Sequence, residues 1–252
     1  MQEAAMIQKK GSTGPLVFTI QEQLNLRMPA NANRAALKTN GQFDAATEKR
    51  VREFQAMMNL TVTGIVDDVT SAVITQSSFE YEAIPRPIVI LQNTSRYHCW
   101  AAALSSWTQA IPRVKTISLW QALEDYRKVA GALDEDNEGM TTRGWTQVVK
   151  RWGLQFKAYG GSKGADIDDL TIDKIWRQAK ARGPMLIAYN LPDTDGEVAH
   201  TIVAYGVFIG FSEDNPNFRG YRVWCMNPWR IGRQMMPLAD IRTGGAALVM
   251  WK

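Results

Sequence analysis

CWAAALSSWTQA, residues 99–110, predicts a helix of about three turns, stopped by Pro112 just beyond it. Ala101, Ala102 and Ala103 keep its flank small enough to pack closely on a sheet. Further helices are predicted around 119–129, 142–152 and 172–181. Strands are predicted at 154–159, 185–190, 200–209, 221–227 and 246–250. Helices come first and strands gather toward the C-terminus. That segregation predicts an α+β domain with a C-terminal antiparallel sheet, not a doubly wound parallel one.

Upstream, YEAIPRP (81–87) carries two prolines in a short span and reads as a linker, so the second domain begins at residue 88. Residues 15–80 read as a small three-helix domain. Phe18, Ile20, Leu24 and Leu26 suggest its first helix, and residues 31–41 a loop. Asp44 is the expected N-cap of a helix over 45–58, whose Val51, Phe54, Met57 and Met58 share a face. Asp67 and Asp68 are cap candidates for a short helix ending near Ile74. Residues 1–14, with Gly11, Ser12, Thr13 and Gly14 crowded before the first apolar run, read as a flexible leader, with order beginning near Leu16.

A chain of 252 residues with 45% hydrophobic content can bury two cores. Its net charge of +4 divides into −1 over residues 1–84, from 8 Lys/Arg against 9 Asp/Glu, and +5 over the rest, from 21 against 16. This balance is compatible with an anionic polymer such as cell wall, but no Lys/Arg stripe marks a nucleic-acid surface. Two cysteines make no disulfide framework, and no Cys/His spacing marks a zinc site; both are expected as free thiols, with no cofactor. The first 18 residues hold no signal-peptide core and no segment has the length of a membrane span, so export is expected by a route other than a cleaved signal peptide. Asp134, Asp136, Glu138 and Gly139 imitate the start of a calcium loop, which fails at its twelfth position, Trp145. Gly160, Gly161 and Gly164 lack the context of a phosphate loop.

Cysteine attacks as thiolate, so it needs positive potential and a proton acceptor. Cys99 opens the 99–110 helix, where unpaired N–H groups and the helix dipole favour negative charge and lower a thiol pKa; the plainer reading is a small buried hydrophobe. The chain has two histidines. His98 adjoins Cys99, and neighbours on a helix diverge by about 100°. His200, which starts the apolar strand HTIVAYGVFIG, is the better candidate base, or else an ordinary strand-edge histidine. Asn227 ends the strand YRVWCMN ahead of Pro228 and suits the group that orients an imidazole; Asn-Pro is also a turn signal, present again at Asn215 and Pro216. Gln92, seven positions before Cys99, is either an amide donor for an oxyanion or a solvated loop residue. Trp100 and Trp229, each beside one of these residues, are candidates to wall a substrate cleft. Cys225, two residues before Asn227, is expected in the core, with a Cys99–Cys225 redox latch as the alternative.

Residues 17–74 resemble the peptidoglycan-binding domain found beside many wall hydrolases, through a Gly-x-Phe-x-x-x-Thr turn at Gly41, Phe43 and Thr47, a Phe-Gln pair at Phe54 and Gln55, and Thr-Gly at Thr63 and Gly64. Residues 88–252, with Gln92, CWAA from Cys99, His200 and Asn227-Pro228 in that order, resemble the papain-like cysteine hydrolases, in the branch of the double-glycine leader peptidases and AvrRpt2-type effector proteases. The resemblance implies Cys99 as nucleophile, His200 as general base and acid, Asn227 as the orienting residue and Gln92 as an oxyanion donor. The Gln-to-Cys gap is one residue longer than usual there, and many members have Asp where Asn227 stands. Jointly the two resemblances imply a peptidoglycan-targeting cysteine amidase or endopeptidase. It would be an antibacterial secreted effector in the periplasm or wall of a target bacterium, with an immunity protein or secretion-system component as candidate partners. The alternatives are a protease effector cleaving target-cell proteins, a phage lysin, and a catalytically inactive wall-binding protein.

Overall fold

The computed structural model describes residues 7–58, 60–75, 78–92, 98–112, 114–130, 142–161, 164–191, 199–211 and 219–252. The readings placed on residues 1–6, 134–139 and 215–216 lie outside these. Contacts divide the chain into two compact units: Met1–Glu80 with Thr171–Asp173 and Phe208–Gly220, and Tyr81–Leu170 with Lys174–Val207 and Tyr221–Lys252. Among the described residues, no helix is long and apolar enough to cross a membrane.

In the first unit, α1 (Pro15–Arg27) opens with Pro at N1, where a missing N–H costs nothing. It buries Val17, Ile20, Gln21 and Leu24, the i, i+3, i+4, i+7 stripe of one helix face. Leu26, two positions and about 200° beyond Leu24, is 72% exposed, and Phe18 is also exposed, so neither belongs to the core face expected of them. α2 (Ala45–Met57) is capped by Asp44, whose carboxylate accepts from Thr47 N–H at 2.8 Å. It buries Val51 and Phe54 but leaves Met57 exposed. α3 (Asp68–Thr75) is capped by Asp67, which accepts from Thr70 N–H at 2.9 Å.

Order begins earlier than Leu16. Gln8 and Val66 exchange main-chain hydrogen bonds of 3.0 and 2.8 Å, and Gly11, Ser12 and Gly14 bond to Phe43 and Gly41. The small polar residues that read as a loose leader instead let the backbone lie against the 41–43 turn.

Gln55 acts as an interior cross-brace. Gln55 is fully buried; its amide donates to Ile65 O at 2.9 Å and to the Thr63 and Thr70 hydroxyls, while its carbonyl accepts from Thr63 and Gly64 N–H at 2.9 and 2.8 Å. Gly64 holds a φ of +72°, and a Cβ there would lie 2.8 Å from Arg52 Nε, so only glycine suits this turn. Gln55→Leu is expected to strand two main-chain donors and destabilise the unit by about 2–4 kcal/mol. Chemical denaturation checks this, with faster hydrogen exchange at Gly64 as the local sign.

The second unit is built on α4 (Cys99–Ala110), after β1 (Ser78–Glu82). Every α4 residue except Gln109 is buried, as befits a helix surrounded by protein. Its polar groups are satisfied locally: Ser105 Oγ donates to Ile117 O at 2.7 Å, and Trp107 Nε1 to Pro184 O at 2.8 Å. α5 (Leu119–Ala130) and α6 (Thr142–Trp152) follow. Trp100, Leu104, Trp107, Leu123, Tyr126, Trp145 and Val148 from these helices meet Leu186, Ala188, Val203 and Met250 in one apolar cluster.

Beyond α6 come β2 (Gln155–Gly160), α7 (Ile172–Arg182), β3 (Met185–Asn190), β4 (Ala199–Phe211), β5 (Arg219–Met226), β6 (Arg233–Pro237), α8 (Leu238–Thr243) and β7 (Ala246–Trp251). They form a seven-stranded sheet in the order β2-β7-β3-β4-β5-β6, with β1 also paired to β4. The β2–β7, β7–β3, β3–β4 and β5–β6 pairs are all antiparallel. The α+β class expected from sequence is thus the observed one. β1 takes in Tyr81 and Glu82, and Ala83 N–H donates to Tyr205 O at 2.6 Å. Two of the seven expected linker residues are therefore strand; the prolines, unable to donate, lie just past the last ladder bond.

Candidate active site

The β3–β4 register sets Tyr189 directly across from His200, the second residue of β4. Cys99 is the first residue of α4, and its Sγ lies 3.9 Å from Ala199 O, on the residue before His200. Asn227 immediately follows β5. Helix start, strand start and strand end thus converge, and all three side chains are buried, with His200 fully inaccessible.

Hydrogen bonding determines the imidazole tautomer. Asn227 Oδ1 accepts from the main-chain N–H of Trp229 at 3.0 Å, so the carbonyl side of the amide faces this cluster. His200 Nε2 lies 2.9 Å from the same oxygen and must be the protonated nitrogen. Nδ1 is left with its lone pair; it is buried and has no hydrogen-bond partner among the described residues. A buried basic nitrogen without a donor is where an incoming proton can be received.

The Trp229 ring, 45% exposed, stacks on His200 with centroids 3.8 Å apart and planes 25° apart. Tyr189 meets the same imidazole edge-on at 5.8 Å and donates its hydroxyl to Met236 Sδ at 3.4 Å. Two rings and one amide therefore hold His200. Tyr189 was not singled out in the sequence, where MLIAYN reads only as a buried strand; the cross-strand register supplies the missing signal.

Burial dominates the electrostatics. It pushes the Cys99 thiol up to about 11, against the opposing pull of Thr201 and of N–H groups at the helix start. It drives His200 down to about 4, the Asn227 hydrogen bond acting the other way. The expectation that a helix N-terminus lowers the Cys99 pKa is corrected: desolvation of a nearly inaccessible thiol outweighs a dipole effect confined to one turn. At neutral pH the resting pair is thiol and neutral imidazole.

The remaining sequence candidates fare unequally. Gln92 N–H donates to Pro228 O at 3.0 Å, which pins Gln92 to the turn after Asn227. Trp100 does not wall a cleft: one step along the helix from Cys99 it turns into the core, 1% exposed and edge-on to Tyr126 at 5.1 Å. Cys225 is fully buried in β5, and both cysteines are free. His98 is also buried, edge-on to Trp120. Among the described residues, no three His, Cys, Asp or Glu side chains gather to hold a metal ion.

Trp229→Ala is expected to let water onto the His200–Asn227 bond, raising the imidazole pKa from about 4 toward its ordinary 6.5. An NMR titration of His200 reads this, and an unmoved midpoint would remove the shielding role.

No curated protein matches this chain. Among solved structures, it is similar to a fused Zn-dependent amidase/peptidase/peptidoglycan-binding domain-containing protein from Clostridium acetobutylicum ATCC 824, at 22% identity and a TM-score of 0.25. That likeness covers 42% of this chain and 44% of the other, so the chain spans less than half of that protein's length. A family model described as "Putative peptidoglycan binding domain" matches residues 13–74, the stretch that contains α1, α2 and all but the last residue of α3.

Proposed function

We propose that this chain is a peptidoglycan-targeting cysteine hydrolase that cleaves amide bonds in wall peptides through Cys99, His200 and Asn227. One observation carries the reading: Asn227 Oδ1, oriented by Trp229 N–H, holds the proton on His200 Nε2 and leaves Nδ1 as a base beside the strand residue that Cys99 contacts. The match of residues 13–74 supports peptidoglycan as the polymer engaged.

In this mechanism, His200 Nδ1 takes the Cys99 proton as Sγ attacks the amide carbon, giving a tetrahedral oxyanion and an imidazolium. Cys99 N–H at the helix start and the Gln92 side-chain amide are the proposed oxyanion donors. Collapse breaks the C–N bond, the imidazolium gives its proton to the leaving amine, and a thioester remains. Water then attacks that thioester, losing its proton to Nδ1; the acid is released and the thiol restored. Because the resting pair is neutral, proton transfer accompanies attack. The 13–74 region raises the local concentration of substrate without altering the chemistry.

Incubating the purified chain with sacculi and identifying new amines and stem fragments by mass spectrometry tests this. Fragments released by wild type and absent with folded Cys99→Ala support it. A folded wild type that releases nothing sinks it, and Cys99-dependent digestion of casein with sacculi left intact would transfer the activity to proteins.

A further inference from the structure

Where the start of α1 meets the turn at residues 40–42, the first unit carries an open hollow of about 500 Å³, within the size range of small-ligand sites. Thr13, Pro15, Phe18, Asn40 and Gln42 line it with two glycines, and no charged side chain does among the described residues. The hollow beside α5 in the second unit differs, being lined by Lys115, Glu124, Asp125, Lys128 and Arg151. α1 turns Val17, Ile20, Gln21 and Leu24 inward, which leaves the Phe18 ring 40% exposed in the wall of the neutral hollow.

The turn is fixed from beneath. Gln21 is 1% exposed; its carbonyl accepts from Asn40 and Gly41 N–H at 3.1 and 3.0 Å, and its amide donates to Gln42 O at 2.9 Å and to Asn40 Oδ1 at 3.3 Å. Gly41, at a φ of +68°, closes the turn on Gly14, whose oxygen would lie 3.1 Å from a Cβ there. Asn40 Oδ1 also accepts from Gln42 N–H at 3.0 Å, so the carbonyl end of the Asn40 amide is spent on the protein and Nδ2 is the end left over. Neither that nitrogen nor the side chains of Thr13 and Gln42 make a hydrogen bond among the described residues. An N–H donor, an amide and a hydroxyl thus stand ready around one aromatic ring, on a braced backbone.

Peptidoglycan offers two chemistries: a glycan of N-acetylated sugars, and stem peptides with free carboxylates and amines. A charged group entering this hollow would shed water and find no opposite charge among the lining residues. Sugar acetamides and hydroxyls are neutral; they accept from Asn40 Nδ2 and exchange hydrogen bonds with Gln42 and Thr13, while the apolar face of a pyranose covers the Phe18 ring. All of these residues lie within the 13–74 stretch matched by the family model.

We propose that this hollow is a glycan subsite, which holds the uncharged N-acetylated sugar chain of the wall by stacking on Phe18 and hydrogen bonds from Asn40 and Gln42. The proposal rests on peptidoglycan as the polymer engaged and is independent of the chemistry at Cys99.

The test titrates full-length Cys99→Ala with soluble glycan strands freed of their stem peptides, following the NMR signals of the Phe18 ring and the Asn40 side-chain NH2. Both are expected to shift saturably with the glycan and to stay in place with the free stem tetrapeptide. Phe18→Ala and, separately, Gln42→Ala are expected to weaken glycan binding by about five- to tenfold. N-deacetylated strands, which carry ammonium groups, are expected to bind the parent chain comparably weakly, a control that needs no surface variant. Silence of both signals at millimolar glycan, shifts with the peptide instead, or equal binding of acetylated and deacetylated strands overturns the subsite, and tighter binding of a chitin tetramer transfers it to another polysaccharide. Sedimentation with intact sacculi judges the wider reading separately: a chain that sediments while both signals ignore free glycan rejects the hollow alone, and one that binds neither rejects peptidoglycan as the polymer too.

Discussion

Alanine at Cys99 or at His200 is expected to lower amide hydrolysis by roughly 10³- to 10⁶-fold, with the double variant no worse than the poorer single one. In the proposed mechanism the nucleophile and base act as a unit. Without His200, the thiol has no imidazole to take its proton, and its elevated pKa of about 11 leaves almost no thiolate at neutral pH. Without Cys99, Nδ1 has no proton to take. Steady-state kinetics on a defined amide substrate, with circular dichroism as the check on folding, distinguishes this from independent contributions, whose losses would multiply in the double variant. Multiplying losses would mean that one of the two residues serves another step.

The fold was legible where local chemistry and burial agree. α4 begins at Cys99 and ends at Ala110 as its composition and Pro112 suggest, and Asp44 and Asp67 cap as their spacing predicts. Where partners distant in sequence decide, the reading failed. β1 exists because β4 offers it an edge, so a proline-flanked stretch that looks like linker is partly strand. RQMMP and LADIRT become β6 and α8, elements too short for periodicity to mark.

The site divides in the same way. Cys99 and His200 could be picked out as candidates because the chain has only two cysteines and two histidines, and Asn227 because it stands at a strand end before Pro228. Tyr189 could not, because nothing in β3 distinguishes it until register sets it opposite His200. Trp229 was placed beside the site but not on the imidazole. Trp100 was misplaced because adjacency in a helix implies divergence, the same geometry that argues against His98 as base.

The second large effect is on stability against pH. His200 titrates at 6.5 when unfolded and about 4 when folded, so on acidification the unfolded chain takes up the proton first. Its contribution is complete above pH 6.5 and is lost as pH falls toward 4, by about 3 kcal/mol. On the alkaline side the sign reverses. Unfolded thiols ionise near 9, while the folded chain holds the Cys99 proton to about 11 and the Cys225 proton to about 12. Stability therefore declines again above pH 9. Urea denaturation at stepped pH is expected to show a plateau between about 6.5 and 9. His200→Gln should flatten its acid edge, and Cys225→Val should soften its alkaline one. A thiolate–imidazolium pair at rest would behave oppositely: stability would persist below pH 6.5, and Cys99 would alkylate rapidly and independently of pH across the neutral range. A neutral pair requires alkylation to be slow at pH 7 and to accelerate with rising pH, because burial, not the helix N-terminus, sets the resting state of this thiol.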